Sequence, residues 1–259
     1  MKTIKMQNIL RLIILITITS FQGFSQSMPQ IFGKTLPKFV GSEMIAITFT
    51  TSPETIKRLM PEPLLSDSTN MVTIVIALQK VPEIMNYNEI FISINASYKG
   101  KSGGYLPLLY LDRAAPIVAG REIAGFPKVD GEFEIVKLDN KVSAVLKRNG
   151  ETLLEFSASL QEKNAMINEK AKSIGFVIKE IPSADGSPIP ALKRLNTFTS
   201  RNSKSYDYQV CENVNLKLYA SEKNFMPEIP IIDIIRVVSF KSDYTLDYGN
   251  IEYDYLEGK

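Results

Sequence analysis

The sequence predicts a mainly β (α+β) fold: a closed antiparallel, barrel-like β-sheet with a few short helices and a central cavity. Three observations predict it. Segments that alternate apolar and polar residues recur along the chain, helix signals are few and short, and a strong two-residue hairpin signal, Asn149-Gly150, falls within a run of such segments. Many antiparallel strands with few helices lead to a barrel or sandwich, and closure into a barrel supplies an interior pocket.

Met44 to Thr50 places Ile45, Ile47 and Phe49 on one face, a strand pattern. Ser52-Pro53-Glu54 then starts a helix, with an N-cap serine, a proline at the first helical position and an acid in the first turn. That helix stops at about Met60, before Pro61-Glu62-Pro63. Met71 to Gln79 is an apolar, β-branched run that reads as a buried strand. Glu89 to Tyr98 alternates strictly: Ile90, Ile92, Ile94, Ala96 and Tyr98 share one face, and Glu89, Phe91, Ser93 and Asn95 the other.

Lys101-Ser102-Gly103-Gly104 reads as a turn before a strand over Tyr105 to Leu111. Pro116 opens a short helix that Gly125 closes, delivering Phe126-Pro127-Lys128. Gly131 to Leu138, Lys141 to Arg148 and Glu151 to Gln161 form a three-strand meander. Further strands cover Gly175 to Ile181, Gln209 to Tyr219, Arg236 to Tyr248 and Ile251 to Tyr255. Pro182 to Pro190 and Thr199 to Ser205 read as loops, and Asn164 to Lys172 as either helix or loop.

Composition narrows function by exclusion. The chain of 259 residues has no histidine. This removes Ser-His-Asp and Cys-His catalysis, histidine general bases and histidine-ligated zinc or haem. Nucleophilic and acid-base work falls to Lys, Glu, Asp, Tyr or Ser. Cys211 is the one cysteine, so no intramolecular disulfide forms, and it reads as a small buried hydrophobe. A net charge of +2, with both signs dispersed, gives no nucleic-acid footprint. Asp185-Gly186-Ser187-Pro188 lacks the acidic spacing of a metal loop, and no cofactor or metal is expected.

The N-terminus has the layout of a secretory signal peptide over residues 1–26. Lys2, Lys5 and Arg11 are followed by the apolar run Leu12 to Thr19 and the small, polar stretch Ser20 to Gln26. The alternative is a single anchor helix. Cleavage would leave residues 27–259 as an exported domain, periplasmic or secreted, with no stable membrane anchor.

The segment Gly120-Arg121-Glu122-Ile123-Ala124-Gly125-Phe126-Pro127-Lys128-Val129 is the most informative. An ordinary lysine is almost wholly protonated at neutral pH, and lowering its pKa by about three units costs about 4 kcal/mol. Full burial can supply a shift of that size, and a neutral amine can attack a carbonyl carbon. Phe126, Pro127 and Val129 make apolar neighbours for Lys128. Local sequence alone also fits an exposed lysine entering a strand. Glu89 reads either as a buried acid near the amine or as a solvated strand end. Arg121 and Glu122 are adjacent on a helix and do not face each other, so each is a structural support or a pocket wall. Tyr105 and Tyr110 line a pocket or sit in the core.

This segment resembles the active-site segment of acetoacetate decarboxylases. The resemblance extends to Met60-Pro61-Glu62-Pro63-Leu64, Tyr87-Asn88-Glu89, Tyr110-Leu111-Asp112, the stretch from Ile181-Pro182 to Pro188, and Tyr253-Asp254-Tyr255-Leu256. It implies that Lys128 is the imine-forming lysine and Glu89 a pocket glutamate, in a homo-oligomer acting on a small keto acid or ketone. It also implies three departures. The family's second lysine is Val129 here, its pocket arginine aligns with Ser42, and its other pocket glutamate aligns near Ile74. With Phe126, Tyr110 and Arg121, these positions make up the expected substrate pocket. The implied function is a Schiff-base carboxy-lyase or related lyase. The alternative is a non-catalytic binding protein for a small apolar carbonyl compound.

Overall fold

The computed structural model describes residues 37–82, 85–161 and 174–258. The expected signal peptide, residues 1–26, and the segment Asn164 to Lys172 lie outside the described residues. In order, the elements are β1 (Lys38–Thr50), α1 (Pro53–Leu59), β2 (Leu65–Ser66), β3 (Met71–Val81), β4 (Met85–Tyr98), β5 (Lys101–Leu111), α2 (Ala114–Ala119), a π-helical turn (Gly120–Ala124) and β6 (Lys128–Asp130). There follow β7 (Glu132–Leu138), β8 (Lys141–Arg148), β9 (Glu151–Leu160), β10 (Ile174–Ile181), β11 (Leu192–Leu218), β12 (Asp233–Leu246) and β13 (Asn250–Asp254).

The expected mainly β, closed sheet is what forms. Strands β10-β5-β4-β3-β1-β12-β11 pair in sequence, and β11 pairs back onto β10, which completes a ring. The seam is a short parallel contact of Gly175 with Gly104 and Phe176 with Tyr105. It explains why Gly103 and Gly104 lie within β5 instead of forming a turn. A Cβ on Gly103 would stand 2.0 Å from the Ile174 carbonyl oxygen, and one on Gly104 would stand 2.2 Å from Ser93 Oγ. These glycines permit close approach, while the turn itself is Lys99-Gly100, with φ of 47° and 76°.

The Thr199 to Ser205 loop is also corrected. It lies inside β11, a strand of 27 residues. Register shifts against its partners fall between Arg201 and Lys204, Tyr206 and Gln209, and Glu212 and Asn215. Asn202, Asp207 and Asn213 in these intervals have φ of 53°, 56° and 51°. Bulges bend a strand without ending it, and Asn and Asp tolerate left-handed backbone. Beyond the ring, the far end of β11 pairs β9, and β9-β8-β7 form the expected meander.

Helix α1 begins as expected, with Ser52 accepting a hydrogen bond from the Thr55 backbone N–H at 3.1 Å. Side-chain alternation then divides the interior. Ile45, Ile47 and Phe49 of β1, Val72, Ile74 and Ile76 of β3, and Ile90, Ile92 and Ile94 of β4 face outward from the ring. They pack with residues of β8 and β9, including Leu146, Leu154 and Phe156, into the main core. Each such burial stabilises by about 1.5–3 kcal/mol. The opposite faces of β1, β3 and β4 turn into the ring.

Candidate active site

The ring encloses a cavity of about 540 Å³, walled by residues of β1, β3, β4, β5, β11 and β12 together with Phe126 and Lys128. The segment that delivers Lys128 is shaped by its two glycines. Gly125 ends the π-helical turn at φ 84°, and both its N–H and that of Phe126 donate to the Gly120 carbonyl. A Cβ on Gly125 would also lie 2.2 Å from Lys179 Cβ. The chain then adds β6 alongside β5 in parallel, with Lys128 opposite Leu109.

Lys128 is 8% exposed and Glu89 5% exposed. Lys128 Nζ lies 3.3 Å from Glu89 Oε1, 5.3 Å from the Phe126 ring centroid and 5.8 Å from that of Tyr87. Gly120 packs directly on the lysine stem: a Cβ there would come within 2.7 Å of Lys128 Cδ. Glu89 Oε2 accepts from Gln79 Nε2 at 2.9 Å, and Gln79 Oε1 accepts from the Tyr244 hydroxyl at 3.0 Å. The Tyr244–Gln79 relay therefore occupies one carboxylate oxygen. The other makes no hydrogen bond among the described residues and faces the amine. Burial pushes the Tyr87 and Tyr244 phenols well above their usual range, and the Glu89 charge adds to both shifts.

Of the residues expected at the site, Lys128, Glu89 and Phe126 line the cavity. The others are placed elsewhere. Tyr110 and Ile74 lie in the main core, and Tyr110 donates its hydroxyl hydrogen to the Asn224 carbonyl at 2.8 Å. Val129 pairs with Tyr110 and packs against that same core. Strand alternation is the reason, since the residue after Lys128 points to the opposite face. Ser42 is fully buried outside the lining, and its Oγ accepts the Lys80 N–H at 3.0 Å. Arg121 braces the segment by donating from Nη1 to the Lys128 carbonyl at 3.2 Å. Tyr105 joins a separate apolar cluster, where burial pushes its phenol up to about 12.

The reading missed Gln79, Tyr87 and Tyr244. Gln79 carried a signal as a polar side chain in the apolar run of β3. Tyr87 carried another, lying two residues before Glu89 and hence on its face. Tyr244 carried none. Gln79, five positions beyond Ile74, is the β3 side chain that reaches Glu89.

The profile of the family described as Acetoacetate decarboxylase (ADC) matches residues 24–256. The chain belongs to the acetoacetate decarboxylase family. It is 29% identical over 223 residues to acetoacetate decarboxylase 3 of Mesorhizobium japonicum, spanning 85% of this chain and 86% of that protein. It is 28% identical over 225 residues to acetoacetate decarboxylase 1 of Bradyrhizobium diazoefficiens, spanning 85% and 88%. The crystal structure of acetoacetate decarboxylase from Legionella pneumophila superposes with a TM-score of 0.80 at 23% identity, covering 91% of this chain and 95% of that one. The enduracididine biosynthesis enzyme MppR, solved with pyruvate, shares the fold with a TM-score of 0.73 at 14% identity, over 89% and 95% of the two chains.

Proposed function

We propose that this protein is an exported acetoacetate decarboxylase-like enzyme in which Lys128 forms an imine with a keto acid or ketone. The observation that carries this reading is the buried Lys128 amine, 3.3 Å from the buried Glu89 carboxylate on the wall of the ring cavity. Family membership and relatives named acetoacetate decarboxylase support a carboxy-lyase.

In this mechanism the Lys128 amine adds to the ketone carbon of a 3-oxo acid. The carbinolamine loses water to give a protonated imine. The bond to the carboxyl carbon then breaks, its electron pair flows into the iminium group, and carbon dioxide leaves behind an enamine. Protonation at carbon restores the imine. Water adds to it and releases the product ketone and the free amine. Glu89 offsets the iminium charge and carries protons between these steps, while Gln79 and Tyr244 hold it in place.

Borohydride reduction in the presence of acetoacetate or acetone, followed by peptide mass analysis, tests the reading. A stable adduct on Lys128 is expected, together with carbon dioxide release from a 3-oxo acid. Absence of an adduct across a panel of ketones would instead favour a binding protein for small apolar carbonyl compounds. The same proposal assigns residues 1–26 as a cleaved signal peptide, tested by the mass of the mature N-terminus. It takes the enzyme as a homo-oligomer, tested by light scattering.

A further inference from the structure

The register of the ring sorts the cavity lining into successive rungs. One rung runs unbroken across six strands: Lys128 pairs with Leu109, Leu109 with Phe91, Phe91 with Val75, Val75 with Ala46, and Ala46 with Val238. All six line the cavity, and all but Lys128 are apolar. The next rung on one side carries Glu89, Met44 and Phe240, and the lysine leans toward it. Beyond lie Gln79 paired with Tyr87, and Ser205 paired with Ser242. On the other side of the apolar rung, the lining continues to Thr48 paired with Arg236.

Neighbouring rungs are two residues apart, or roughly 7 Å along the strands. The amine thus stands within a one-rung apolar belt, with Glu89, Gln79, Ser205 and Ser242 beyond it on one side and Thr48 and Arg236 on the other. Acetoacetate would fill roughly two-fifths of the 540 Å³ even if each heavy atom took a water's full share of liquid volume, about 30 Å³. It would leave Phe91, Val75, Ala46 and Val238 uncovered by substrate.

Building on the imine reading above, we infer that the preferred substrate is a 3-oxo acid with an extended apolar acyl tail. The carbonyl sits at Lys128. The carboxylate points toward the hydroxyls of Ser205, Ser242 and Tyr87. The tail lies along the apolar rung, across Phe91, Val75, Ala46 and Val238.

The experiment compares kcat/KM of the full-length protein for acetoacetate, butyrylacetate, hexanoylacetate and benzoylacetate. Burying one methylene is worth about a fourfold preference, so butyrylacetate, with two more, should exceed acetoacetate by about fifteenfold. Ala46→Leu fills the belt, and the ratio of butyrylacetate to acetoacetate should fall to about one. A trapped Lys128 adduct combined with equal or better turnover of acetoacetate would overturn this inference and leave the imine reading standing. If no adduct forms and no carbon dioxide is released, the imine reading fails instead. Calorimetric binding of acetone, pentanone and heptanone then decides the belt's role: affinity rising with chain length supports it, and flat affinity overturns it.

Discussion

On β4, Ile90, Ile92 and Ile94 point into a core sealed by β8 and β9, whereas Tyr87, Glu89 and Phe91 point into the ring cavity. The same division holds on β3, where Ile74 is buried in the core and Gln79 reaches Glu89, and on β1, where Ile47 and Ala46 face opposite ways. Each strand thus serves two environments with alternate residues. One face excludes polar groups. The other gathers a lysine, a carboxylate, an amide and two phenols on the wall of the ring cavity. A single sheet can therefore be selected for stability and for chemistry at once, with little interference between the two.

Substitutions on the two faces should separate those properties. The largest effect is expected from Lys128→Ala. Imine trapping should vanish and decarboxylation should fall by at least about a thousandfold, since the nucleophile is gone, while the thermal midpoint should not fall. A collapse of the fold instead would break the comparison. Gly120→Val, which drives a side chain against Lys128 Cδ, should lower the trapping rate by about a hundredfold through misplacement of the amine. Far-ultraviolet circular dichroism checks that the fold persists. On the core face, Phe49→Ala should cost about 3–5 kcal/mol in urea unfolding, yet the folded fraction should still trap ketone at Lys128.

Smaller effects sharpen the boundary. Gln79→Leu leaves Glu89 Oε2 without its donor, which should cost about 1–3 kcal/mol and displace the pH profile of kcat. Tyr244→Phe should move that profile less. The Tyr87 and Tyr244 phenols should also titrate above the exposed tyrosines in an ultraviolet pH series. Their folded-state values lie above the ordinary value near 10. Their neutral forms therefore add stability that is fully present below about pH 10 and is lost as the pH rises toward the folded-state values.

Much of this division was legible in the sequence. Strict alternation from Glu89 to Tyr98 separated the two faces of β4, and Asn149-Gly150 marked the β8–β9 hairpin, where both residues have positive φ, 51° and 78°. Apolar neighbours around Lys128 fitted a buried amine but also an exposed lysine entering a strand, and it was the family resemblance that favoured the first. What was hidden depends on long-range pairing. Tyr244 meets Gln79 across 165 residues of sequence, and no local pattern encodes such a contact. The polar stretch from Thr199 to Ser205 lacks an apolar period because it forms part of the cavity rim and is bulged, so it imitates a loop. Ile74 and Val129 were assigned to the pocket by alignment alone, although the alternation of β3 and the position after Lys128 already placed them on the other face.

The ring has one more consequence. Its first strand, β1, takes β3 as one neighbour early in the chain, but its other neighbour is β12, with Lys38 paired to Thr245. The barrel therefore cannot close until nearly the whole polypeptide is available. Pairing between such distant segments is slow, because loop entropy must be overcome before contacts accumulate. Until β12 is made, the apolar faces of the earlier strands lack their final partners, so late closure is also the stage at which the chain is most prone to pair wrongly.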